Sequence, residues 1–119
     1  MSSRADLSAH LIAALGSDWD YIVPGSEEAL TKGRLPAFSV SFAGMVRHGA
    51  GWRERLAVTI FSDYAAEKDT DDQLIGEIEQ VLAAIERSPA HLAESVTPPE
   101  EELLGSWGYL TSDVAVRAL

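Results

Sequence analysis

The side chains best suited to acid-base or metal chemistry are three histidines, His10, His48 and His91, and several runs of adjacent carboxylates. No two histidines lie three or four residues apart, the spacing that sets a pair of imidazoles on one helix face to hold a metal ion. They read instead as a polar-face residue of a first helix, a turn residue and a residue just past a helix terminator. The carboxylates Glu27-Glu28, Asp71-Asp72 and Glu100-Glu101-Glu102 fall in loops or first helical turns. A general acid needs a desolvated pocket to raise its pKa, and this pattern leaves the groups in water as solvated faces or caps. The chain has no cysteine, which removes thiolate nucleophiles, disulfides and cysteine-based zinc sites. No Gly-x-Ser-x-Gly elbow occurs. Gly44, Gly49 and Gly51 join two strand patterns instead of leading into a helix, so they lack the amide cradle of a phosphate loop. These residues predict no catalytic centre, no metal and no cofactor.

What remains is a local basic and aromatic cluster: Arg47, Arg53 and Arg55 with Trp52, around one turn. Such charges can simply blunt exposed strands against aggregation. On an otherwise acidic molecule they also make a docking element for an acidic patch on a neighbour, a second copy included. Contact between unlike patches of identical subunits gives a ring if the rotation closes.

The elements that must carry these residues are legible from periodicity. Leu7, Leu11 and Leu15 mark one stripe of a helix that ends at Gly16, with Ser2, Ser3 or Asp6 as its cap. Trp19 to Val23 alternates as a short edge strand that Pro24 and Gly25 stop. Ser26 before Glu27 and Glu28 predicts a single capped helical turn, broken at Gly33, and Pro36 restarts the chain extended. Phe38, Val40 and Phe42 share one face of a strand continuing to about Val46. After a reversal at His48-Gly49-Ala50-Gly51, Leu56, Val58 and Ile60 share a face of a second strand running to Tyr64. Two strands of about ten residues span roughly 33 Å, long enough for their tip to project beyond the core. Asp69 and Thr70 open a helix at about 70–87, with Gln73 completing a capping box and Asp71 and Asp72 complementing the dipole. Its apolar stripe is Leu74, Ile75, Ile78, Val81, Leu82 and Ile85, and Ser88-Pro89 ends it. Leu92 and Val96 suggest a short strand, Pro98-Pro99 with the three glutamates an exposed loop, and Trp107 to Leu119 a last strand.

The fold class predicted is α+β: a mainly antiparallel or mixed sheet with a long central hairpin, packed by the N-terminal helix and the helix at 70–87. The 119 residues fit one domain over 1–119, and 46% hydrophobic content with 24% charge places the chain among globular proteins, not disordered ones. Nineteen acidic residues against nine basic ones give a formal net charge of -10, which repels phosphate backbones and argues against nucleic-acid binding as a primary activity. No apolar run approaches the length of a membrane span, so a soluble protein of the cytoplasm is expected.

The order of elements, with Trp19-x-x-x-Val23-Pro24, then Ala29-Leu30-Thr31 and a long hairpin, resembles the tail terminator family of long-tailed bacteriophages over most of the chain. The Gly-rich hairpin turn and the acidic Pro98-Pro99 segment depart from the family's pattern. The resemblance implies a non-enzymatic protein without cofactors that forms a homo-oligomeric, hexameric ring on the last ring of tail-tube protein. Such a ring stops tube growth and presents the surface for the head-tail connector. It implies a place in the virion tail after assembly in the host cytoplasm, with DNA passing through the ring unread and an acidic channel repelling it. Arg47, Trp52, Arg53 and Arg55 are the expected contact residues. Two other readings stand beside it: another head-tail connector or tail-completion protein, and a small cytoplasmic ligand-binding or enzymatic α+β domain.

Overall fold

The leucine stripe folds as expected: in a computed structural model that describes residues 2–63, 70–104 and 107–119, helix α1 runs Ser3–Leu15. Of the three candidate caps it is Ser2 that serves, its hydroxyl accepting from the Ala5 amide at 3.2 Å. Gly16 ends the helix at φ 77, where a side chain would be strained. The second helix, α2, spans Thr70–Glu86. The expected strand end at Tyr64 and the capping box at Asp69 and Thr70, with the Asp71 side chain, fall outside what is described.

Six strands form one mixed sheet: β1 (Asp20–Tyr21), β2 (Ala37–His48), β3 (Gly51–Asp63), β4 (His91–Val96), β5 (Glu100–Leu104) and β6 (Trp107–Ala118). Their order is β1-β2-β3-β6-β4, with β5 also paired to β6. Only β1, at the edge, runs parallel to its neighbour. Beyond its two paired residues the Ile22 amide still donates to the Phe38 carbonyl at 2.8 Å, and by alternation the Ile22 side chain lies on the opposite side of the sheet, before Pro24 and Gly25 end the extended run.

Alternation along β2, β3 and β6 gives the sheet two different faces. Phe38 and Val40 lie opposite Ile60 and Val58, which lie opposite Ser112 and Val114. Leu7 and Leu11 of α1 and Leu74, Val81 and Ile85 of α2 close over this face. Ile75, placed on the same stripe by its spacing, is half exposed, since the sheet meets a narrower strip of the helix than the apolar residues cover.

The other face carries a small second core that the alternation did not announce. Ile22, Leu30 and Leu35, from the segment between β1 and β2, pack on Ala37, Phe61 and Tyr109. That segment holds two 3-10 turns, Glu27–Ala29 and Lys32–Arg34. Ser26 makes no side-chain cap, and Gly33 lies inside the second turn, so the expected single capped turn broken at Gly33 is corrected on both points.

The acidic segment after Pro98-Pro99 is also corrected. Glu100, Glu101 and Glu102 belong to strand β5 and not to a loop. β6 is twice as long as β4, so half of its outer edge would have no partner without β5. Thr97 joins the two strands: its amide donates to the Asp113 carbonyl at 2.8 Å, and its hydroxyl accepts from the Asp113 amide at 2.9 Å. The glutamates remain exposed, which lets an edge strand carry three carboxylates without desolvating them.

Candidate assembly surface

The hairpin of β2 and β3 turns at Gly49, whose φ of 61 suits a two-residue reversal. A register shift between Phe42 and Gly44, with Gly44 at φ 115, breaks the ladder halfway along. Outward from this bulge the hairpin is an arm: no residue from Phe42 to Arg55 is buried. Phe42, Met45 and Trp52, each at least half exposed, lie on the side of the sheet that carries the helices.

Of the four expected contact residues, strand alternation makes two pairs rather than one cluster. Arg47 and Trp52 are register partners, and the guanidinium stands 4.7 Å from the indole centroid. Arg53 and Arg55 project from the opposite face, where Arg53 Nη1 donates to the Trp52 carbonyl at 3.1 Å. Neither Arg47, Arg53 nor Arg55 closes a salt bridge with the described residues.

On the face of Arg53 and Arg55, charge changes sign along the sheet. Arg117 lies opposite Arg55, with Glu94 at 3.9 Å from its Nε. Farther from the arm, Thr59 donates to the Asp113 carboxylate at 2.6 Å, Glu100 lies opposite Thr111 and Glu102 opposite Tyr109. With Glu27 these residues rim a shallow depression of about 370 Å³ whose lining holds four carboxylates and no basic side chain. Burial, followed by the Glu102 and Glu27 charges, raises the Tyr109 phenol above its ordinary value, so it stays a hydrogen-bond donor.

Two interior polar clusters escaped the sequence reading. Ser62 donates to Glu77, which is buried on the core side of α2. Burial raises the Glu77 pKa against the lowering effect of hydrogen bonds from Ser62 and Gln73, with Asp63 adding to the rise. The signal was present: Glu77 falls three residues after Leu74 and four before Val81, on the buried stripe. His91, just past the helix terminator as expected, is the buried first residue of β4, with Ser3 Oγ 2.9 Å from its Nε2 and Ser88 Oγ 2.7 Å from its Nδ1. Burial lowers its pKa and favours the neutral ring, which ties the start of α1 to the start of β4. His10 likewise turns inward, its Nε2 donating to the Ala84 carbonyl at 2.7 Å. Neither Glu77 nor His91 lines the acidic depression.

Among the described residues, no three of His, Asp and Glu gather where a metal ion could be held, and no helix is long and apolar enough to cross a membrane. No family model and no curated protein matches the chain. Among solved structures, a chain from the virion of a native gene transfer agent (GTA) particle aligns with 99% of this chain and 97% of its own length, at a TM-score of 0.43 and 14% sequence identity.

Proposed function

We propose that this chain is a structural component of a virion, and more narrowly a tail terminator that self-assembles into a ring on the end of the tail tube. The observation that supports this reading is the bare arm. A monomer gains nothing in core burial from a hairpin whose outer fourteen residues, Phe42 to Arg55, are all unburied. Its half-exposed Phe42, Met45 and Trp52 are the kind of aromatic and methionine side chains that interfaces take up, and Arg47, Arg53 and Arg55 give the contact direction. The order of elements that resembles the terminator family points the same way.

On this reading the protein acts by occupying a surface, without catalysis or a cofactor. The ring covers the growing end of the tube, blocks addition of the next tube subunit and offers its free side to the head-tail connector. The acidic body keeps passing DNA from adhering. Purified protein added to polymerising tail-tube protein is expected to cap the tubes and fix their length distribution, as read in electron micrographs. Tubes that grow on unchanged, or protein that binds only connector from the head side, would sink the terminator assignment.

A further inference from the structure

We propose that the acidic depression on the open sheet face receives the hairpin arm of a second copy, with Arg53 and Arg55 of one molecule lying over Glu100, Glu102 and Asp113 of the next. The inference rests on the self-assembly reading above and supplies the receptor that reading lacks.

Donor and receptor lie on one face of one sheet but do not meet within a molecule. Thr59, the lining residue nearest the arm on β3, is four residues from Arg55, about 13 Å at strand rise, and Phe61 is six, about 20 Å. The strand between them is paired on both sides, to β2 and to β6, so it cannot bend back. Each molecule therefore presents two guanidinium groups without carboxylate partners among the described residues. It also presents a depression with four carboxylates and no cation in its lining. A second copy satisfies both at once.

The chemistry of the match is specific. A guanidinium offers a planar fork of donors that fits a carboxylate with two parallel hydrogen bonds. Arg53 and Arg55 project from the same face two residues apart, and Glu100 and Glu102 do likewise on β5, so the spacings along the two strands agree. Tyr109 and Thr111, next to the glutamates, add hydroxyl groups to the receptor. Between the two zones β2, β3 and β6 carry small side chains on this face, Ser39, Ser41, Ala57 and Ala115, which let a neighbouring backbone approach closely. The molecules repel one another at a distance through their net charge of -10, so the contact forms only where the patches meet in register.

Charge reversal tests this in the full chain. Arg53→Glu with Arg55→Glu reverses the arm, and Glu100→Lys with Glu102→Lys reverses the receptor. Asp113 is left in place because it holds Thr59. Self-association is followed by sedimentation at low salt, and circular dichroism checks that each variant keeps the wild-type fold. Each double variant alone is expected to associate at least 100-fold more weakly than wild type. An equimolar mixture of the two, or one chain carrying all four changes, is expected to regain association. Both variants remain strongly acidic overall, so recovery would not reflect general attraction. Recovery at the mass of two copies assigns a reciprocal pair and a larger mass a ring or open chain, and both support the contact. Variants that associate like wild type overturn it, as do losses that no combination restores, or a wild type that stays monomeric at millimolar concentration. Tube capping measured on the same variants separates the two ideas: capping that survives without rescue removes this contact but leaves the terminator reading.

Discussion

Glu77 is a carboxylate placed where a core residue would do. Its folded pKa lies above the ordinary 4.5, chiefly because burial disfavours the charge. A raised acid contributes stability that is present below its unfolded pKa and lost as pH rises through the folded value. At neutral pH the wild type therefore carries a penalty that Glu77→Gln removes, while Gln can still accept from Ser62. The variant is expected to be more stable than wild type at pH 7 and to show no such gain at pH 4 in urea unfolding. An equal gain at both values would point to packing instead. His91 shifts the other way: its folded pKa is lowered, so its contribution is present above about 6.5 and lost as pH falls below it. These roles were only partly legible from sequence. The apolar stripe contained Glu77, but Ser3 and Ser88 meet His91 from distant or out-of-pattern positions that periodicity does not connect.

The elements with strong periodicity were read correctly: α1, α2, β2, β3 and β6 all stand near their expected places. Those misread break the rules that reading depends on. β5 is a strand of acidic residues whose formation is dictated by the unpaired length of β6, a tertiary cause absent from its own sequence. The proposed contact residues were legible as neighbours around one turn but not as two faces. Their separation follows from the period of two once the register of Arg47 with Trp52 is known. The glycine-rich stretch was legible as a reversal, yet its first glycine does something else. Gly44 forms the bulge at φ 115, and an added Cβ there would meet nothing within 4 Å. Gly44→Ala should therefore cost about 1 to 3 kcal/mol through backbone strain alone, read from the urea midpoint. A substitution without cost would show that the bulge is not held in that conformation.

At the scale of the whole molecule the arm accounts for the shape. The principal extents are 49 × 25 × 24 Å, and the radius of gyration of 14.4 Å exceeds the roughly 13.5 Å expected for a compact chain of this length. Amides from Phe42 to Arg55 are expected to exchange hydrogen faster than those of β6 in the monomer, and to slow by at least tenfold on assembly. Mass spectrometry of the peptides would show it, and protection confined to the helices instead would place the interface elsewhere. The pairing of β6 with β3, β4 and β5 has a further consequence, for the order of folding. The β2–β3 hairpin closes through a local turn and can form in about 1–10 µs, whereas β6 must find β3 across the intervening helix and two strands. The arm thus exists before the surface proposed to receive it. Half-folded copies carry the key without the lock, and premature pairing between them has nothing to engage.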